Sequence, residues 1–318
     1  MRTIAICNLK GGVAKTTTAV NLAAILAAER GKNVLVIDAD SQANATSFLG
    51  GDREQPGMAA LLQGQTTEEK PLELQRTNVF GVTLIAGSAE LMDLDLTKAG
   101  EGTVDVQCLR QLREQLERQA AAYAQVMGED DAERCSALRK NGGPSRTPAP
   151  TADHRKVRLS PDGDNTQLLA ATFFGLPYDY CLIDCPPAFN AASSAALIAA
   201  DAVLIPVKLD AFALEGMANL LQQIQNMRRI NPQLQVLGVL PVMWYKSESI
   251  LQAERALRES GLRVLPRIRR SDRVDDMTYA QAPLISCSPR SGPCKDYRVL
   301  AKWLDLGQGR EEAQRDGE

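Results

Sequence analysis

The feature that most constrains this chain is the stretch LKGGVAKTTT at residues 9–18, set between an apolar run, RTIAIC at 2–7, and an Ala-rich stretch, KTTTAVNLAAILAAER at 15–30. The apolar run reads as a buried strand, and the Ala-rich stretch, followed by Gly31, reads as a helix with a glycine stop. Strand, glycine-bearing loop and helix in that order is the layout of a loop that cradles phosphate. The common spacing G-x-x-x-x-G-K-[ST] is not met, because its two glycines would fall at Leu9 and Ala14. The sequence fits K-G-G-x-x-K-[ST] instead.

In such a loop Gly11 and Gly12 let the backbone approach phosphate oxygens closely. The amides of Gly12, Val13, Ala14, Lys15, Thr16 and Thr17, gathered at a helix start, supply donors and a favourable dipole. Lys15 is expected to reach the β and γ phosphates, and the Thr16 hydroxyl suits Mg²⁺. Lys10 is surplus to one subunit's needs. A Gly-Gly-Lys stretch alone could be an ordinary turn, so two downstream elements matter. In VLVIDADSQANAT, at 34–46, Asp38 and Asp40 end a strand signal where carboxylates can order a metal-bound or attacking water, although Asp40 could also cap the following turn. In YDYCLIDCPPAFN, at 178–190, Asp184 ends another strand and two prolines stop it, as fits a carboxylate acting on Mg²⁺ through water.

Strand signals recur at 33–38, 79–85, 179–184, 202–206, 234–240 and 262–265, with helix-like stretches between most of them. That alternation predicts an α/β fold: a mostly parallel twisted sheet with helices on both faces. At 318 residues and 44% apolar, the chain can bury a substantial core as a single domain spanning 1–318. Residues from about 128 to 166 break the rhythm, with Gly, Pro, Ser and an acidic cluster (GEDDAE) before a basic one (RKVR), and read as a flexible insertion. Residues 307–318 read as a polar tail. Seven cysteines form no CxxC and His154 is the only histidine, which argues against a zinc site and against histidine-based catalysis. No window approaches the roughly 18 to 20 consecutive apolar residues of a membrane span, and no signal-peptide layout precedes the first strand, so a cytoplasmic location is expected.

Together the three motifs resemble the ParA/MinD group of deviant Walker ATPases, within the P-loop NTPases. LIPVKLDAFALEGMANLLQQIQNMRR, LGVLPVMWYKSESILQAERALRE, LPRIRRSDRVDDM and PLISCSPRSGPCKDYRVLAKWL are similar to later ParA segments. The resemblance covers most of residues 1–98 and 168–306. It implies ATP and Mg²⁺ held between two subunits of a homodimer, with Lys10 reaching across to the partner's nucleotide. It gives Lys10, Lys15 and Asp40 catalytic roles, Asp40 positioning the water, and sets Thr16, Asp184 and Asp40 around the metal. It also places Met243 and Pro266 at the nucleotide, and implies slow turnover by the protein alone. The chain departs from the family at Ser41 and Ala43, where Pro and Gly are usual, at Asp276-Met277, where Glu-Ala is frequent, and at Ala14, where Gly is more frequent.

A net charge of −3 gives no global signature of nucleic-acid binding, but residues 255–273 carry Arg255, Arg258, Arg263, Arg267, Arg269, Arg270 and Arg273 against Glu259 and Asp272, with Glu254 just before them. Such a patch could neutralise DNA phosphates without reading sequence. A solvated face with internal ion pairs is the alternative. The resemblance implies non-specific DNA held by the ATP-bound dimer, here through Arg255, Arg258, Arg267, Arg269 and Arg270, a nucleoid-associated location, and a ParB-like protein that stimulates hydrolysis. Only nine residues precede Lys10, too few for a helix-turn-helix there. A MinD-like regulator acting at a membrane or protein partner is a competing output, although the tail carries no amphipathic apolar face and no membrane partner is expected. A nucleotide-binding switch with little hydrolysis is another, given the switch-loop departures.

Overall fold

The computed structural model describes residues 1–66, 72–94, 96, 102–122, 156–158, 177–210 and 213–306. Its centre is an eight-stranded sheet built from β1 (Arg2–Ile6), β2 (Val34–Asp38), β3 (Glu73–Arg76), β4 (Val82–Ile85), β5 (Lys156–Arg158), β6 (Tyr180–Asp184), β7 (Ala202–Lys208) and β8 (Gln235–Val242). The order is β5-β3-β4-β2-β6-β1-β7-β8. The six strands from β4 to β8 pair in parallel, and β3 is antiparallel to both of its neighbours.

The helices are α1 (Lys15–Arg30), α2 (Asn44–Phe48), α3 (Met58–Leu62), α4 over 108–122, α5 (Ala191–Ala199), α6 (Ala213–Met227), α7 (Glu248–Glu259), α8 (Arg273–Ala280), α9 (Leu284–Cys287) and α10 (Gly292–Leu306). The strands read as nearly continuous apolar runs because both faces are covered, and side chains alternate between two cores. Ile4, Ile6, Val36 and Leu182 face α1 and α10; Ala5, Leu35, Ile37 and Ile183 face the layer containing α5 and α6. Buried polar contacts dock the C-terminal elements onto α1. The Thr18 and Tyr297 hydroxyls lie 3.1 Å apart, and the Leu284 amide donates to Asn21 Oδ1 at 2.8 Å. Gly31 ends α1 at φ 64, its amide donating to the Ala27 carbonyl and that of Lys32 to Leu26, the paired closure that a left-handed glycine permits.

Two strand expectations need correction, and two further strands carry no signal in the sequence reading. The run at 262–265 is not a strand: Val264 makes only an isolated bridge to Val239. The Val239 amide donates to Arg263 and the Leu265 amide to Val239, but Pro241 has no amide for the next rung, so the ladder is interrupted there before the Ile268 amide donates to the Pro241 carbonyl at 2.8 Å. The strand read at 79–85 starts at Val82, after a turn at Gly81 with φ 81. β3 went unread, and so did β5, whose Lys156–Arg158 falls inside the stretch expected to be a flexible insertion and pairs with β3. The rest of that stretch and the tail from 307 lie outside the described residues.

Candidate functional site

Parallel pairing brings the ends of three strands together, with Ile6 beside Asp184 and Asp184 beside Asp38. The loop from β1 to α1 rises from this edge, where open α/β sheets take their ligands. Asn8, buried, anchors it: its amide donates to the Pro206 carbonyl at 2.7 Å and its Oδ1 accepts from the Lys10 amide at 3.0 Å. Space over the loop is open, since a Cβ added to Gly11 or Gly12 would meet nothing within 4 Å, and Gly12 has φ 68. Ala14 sits in the left-handed region at φ 59, ψ 34, and α1 opens without a side-chain cap. The frequent glycine at this position thus has a conformational reason.

Lys15 is buried and turns back over the loop, its Nζ donating to the Lys10 carbonyl at 3.0 Å. Asp184 is fully buried, and neither of its carboxylate oxygens takes a hydrogen bond from the protein. Burial, and next the charge of Asp38, push its carboxyl well above the usual range, while Thr16 and Lys15 pull it down. Two unpartnered carboxylate oxygens in a buried site, with the Thr16 hydroxyl and the Lys15 ammonium acting on them, fit a bound divalent cation.

Asp38, also fully buried, differs from Asp184 in being well bonded. It accepts from the Thr46 amide and hydroxyl, both at 2.8 Å, and from the Asp40 amide at 3.2 Å. Burial still outweighs these bonds and raises its carboxyl to about 6. The Thr46 hydroxyl in turn accepts from the Gly87 amide at 2.9 Å, and a Cβ on Gly87 would lie 2.9 Å from the Asp38 carboxyl carbon. Asp38 is therefore the hub that shapes the turn carrying Asp40. Asp40, 8% exposed, accepts from the Gln42 amide at 3.0 Å, so the capping role is realised. Ala43 adopts φ 49, ψ 41, again where glycine is usual.

Lys10 lies back against its own chain. Its Nζ lies 3.4 Å from Asp210 Oδ1, and its chain crosses Gly216, where an added Cβ would lie 2.8 Å from Lys10 Cε. Asn8, Thr46, Gly87, Asp210 and Gly216 were not singled out from the sequence; Gly216 alone carried a signal, as the glycine of Ala-Leu-Glu-Gly at the start of α6.

Met243 and Pro266 line different cavities. Met243, at φ 53, borders one of about 500 Å³ with Lys208, Asp210 and Met217; Pro266 borders a cleft of about 410 Å³ with Arg258 and Asp296. Among the arginines, Arg258 pairs with Glu254 at 2.7 Å, Arg267 with Glu254 at 3.5 Å, and Arg269 with Asp296 at 2.8 Å. Arg255 and Arg270 are exposed and lie outside these pairs. Among the described residues no helix is long and apolar enough to cross a membrane.

Residues 4–284 match the CobQ/CobB/MinD/ParA nucleotide binding domain. The chain is similar to the chromosome-partitioning ATPase Soj of Thermus thermophilus, at 34% identity over 95% of this chain and 94% of that one. It is also similar to the chromosome partitioning protein ParA of Caulobacter vibrioides, at 31% identity over 79% and 72% of the two chains. Among solved structures, an ATP complex of McdA from Cyanothece superposes with TM-score 0.65 over 96% of each chain at 22% identity, a likeness of fold. Cobyrinic acid a,c-diamide synthase from Mycobacterium smegmatis, solved with ADP and magnesium, gives TM-score 0.60 at 25% identity over 97% and 96% of the two chains.

Proposed function

This chain belongs to the CobQ/CobB/MinD/ParA family of nucleotide-binding domains, and from that premise we propose that it is a Mg-ATP-dependent partitioning ATPase that dimerises around ATP and holds DNA without sequence preference. The observation that carries the reading is Asp184: a buried carboxylate with two unpartnered oxygens, beside Thr16 and below an open glycine loop. Magnesium bound there would be held by Thr16 and Asp184 and would supply charge neutralisation for the transferred phosphate.

The chain's own groups then divide the work. Lys15 exchanges the Lys10 carbonyl for phosphate oxygens. The amides from Gly12 to Thr17 and the start of α1 hold the phosphates electrostatically. Asp40, fixed by the Asp38 and Thr46 hub, orients water for attack. Lys10 leaves Asp210 and adds a cation at the partner's nucleotide, which couples assembly to turnover because phosphoryl transfer depends chiefly on positioning and charge.

The partitioning role follows the Soj and ParA relatives, and with it a ParB-like stimulator and a place on the nucleoid. Binding of random-sequence duplex to Asp40→Ala protein with ATP, ADP or no nucleotide tests this output. ATP-dependent binding that weakens with salt supports it; no binding by protein that still takes up ATP and dimerises moves the output to another partner. One observation favours a second reading, a switch with little hydrolysis: alanines occupy left-handed positions in both nucleotide-facing turns, at φ 59 and φ 49.

A further inference from the structure

Trp244 joins groups on the basic face that are separate in sequence. It stands just beyond β8, where its amide donates to the Ile268 carbonyl at 3.0 Å and its carbonyl accepts from the Arg270 amide at 2.9 Å. Its indole Nε1 donates to Glu254 Oε2 at 3.0 Å, and the Arg267 guanidinium carbon lies 3.6 Å from the ring centroid. Glu254 projects from α7 and is 8% exposed. It also takes Arg258 Nη2 at 2.7 Å and lies 3.5 Å from Arg267 Nη1. Burial pushes the Glu254 carboxyl up, but hydrogen bonds from Arg258 and Trp244 outweigh it and hold the group below its usual range, so it is charged at neutral pH.

One buried carboxylate thus organises two guanidinium groups without consuming their five donors each. The Arg258 and Arg267 side chains remain 58% and 46% exposed and border the open cleft of about 410 Å³. Asp296, the other acid there, is occupied by Arg269, whose Nε and Nη2 donate to it at 2.9 and 2.8 Å. With Arg269 on Asp296 counted, three arginines against two acids give the cluster around the cleft one net positive charge. A free arginine gives up rotamer entropy when it is pinned on an anion; the stack on Trp244 has already limited Arg267 to one plane.

We propose that Trp244 and Glu254 hold Arg258 and Arg267 as a pre-formed two-guanidinium clamp for a single phosphodiester group of duplex DNA, with Trp244 as the positioning residue. The clamp rests on the DNA-binding reading above and names the arginines that carry it. A planar fork held in advance suits a tetrahedral phosphate, and Arg255 and Arg270 contribute looser contacts around it.

The test uses the full chain with Mg-ATP in an Asp40→Ala background, a random-sequence duplex and a salt series. Arg258→Ala and Arg267→Ala, both at exposed heads, each lower affinity by about tenfold. Because they share one phosphate, the double variant loses little more, and the slope of log affinity on log salt falls by about one rather than two. Trp244→Leu gives the same loss of slope with ATP affinity unchanged. Trp244→Phe, which keeps a ring under Arg267 but drops the N–H, loses only ~2- to 3-fold. Additive losses with a slope change of about two, or an unchanged slope in every variant, would overturn the clamp while the DNA reading stands. A parent protein that binds no DNA at all removes the reading and the clamp together, and that outcome is seen before any clamp variant is made.

Discussion

Lys10 Nζ lies 3.4 Å from Asp210 Oδ1 of the same chain, with its aliphatic part laid over Gly216. On the proposed reading, in which Lys10 serves a partner's nucleotide, a pair whose side chains are 31% and 39% exposed holds the lysine back. Exposed pairs of this kind are worth about 0–1 kcal/mol, a restraint that ATP binding can overcome.

Asp210→Asn is therefore expected to strengthen ATP-dependent dimerisation by up to about fivefold, read by sedimentation equilibrium with Mg-ATP in an Asp40→Ala background. Gly216→Ala should fold normally, because its new methyl displaces only the flexible end of Lys10, and should shift the same equilibrium. Dimerisation unchanged in both variants would remove the restraint from the account.

Ala14→Gly and Ala43→Gly each relieve a left-handed alanine, at φ 59 and φ 49. Each should raise stability by about 1 kcal/mol, or Tm by roughly 1–2 °C in a domain of this size. A lower Tm in both would show that neither turn is strained.

Thr46→Val removes a donor to Asp38 and leaves the Gly87 amide buried without its acceptor. It should cost about 2–4 kcal/mol in denaturant unfolding, whereas Thr46→Ser, which keeps the hydroxyl, should cost much less. Equal losses would assign the effect to the methyl group rather than to the hydrogen bonds.

The carboxyl of Asp38 is raised from 3.8 to about 6 in the fold. The native state then binds more protons than the unfolded chain between these values, so this contribution is complete below about 4 and is lost as pH rises through about 6. Asp184 is shifted in the same direction. Without metal, the protein should melt higher at pH 5 than at pH 7, and Asp38→Asn should flatten that dependence. A Tm that rises over this interval would contradict the assigned burial.

Much of this was legible because strongly local physics wrote it. The strand, loop and helix around Lys15 follow from an apolar run, two glycines and an Ala-rich helix ending at Gly31, and Asp184 was found from its place before Pro186 and Pro187. What stayed hidden depends on contacts distant in sequence. Thr46 matters because it meets Asp38 and Gly87, Asp210 because the fold brings it to Lys10, and neither pairing has a periodic signature. The run at 262–265 read as a strand because its apolar pattern is local, while the missing Pro241 amide that breaks its ladder lies on another segment. The arginines from 255 to 273 were countable, but only the fold shows that Glu254 and Asp296 engage three of them.

The most direct test of the central claim is ATP binding by isothermal calorimetry, with and without Mg²⁺, for the natural protein and for Lys15→Ala and Asp184→Asn. The account predicts tight binding only with Mg²⁺, no productive binding by Lys15→Ala, and loss of the Mg²⁺ dependence in Asp184→Asn. Nucleotide affinity that is the same in all three proteins, and indifferent to Mg²⁺, would contradict it.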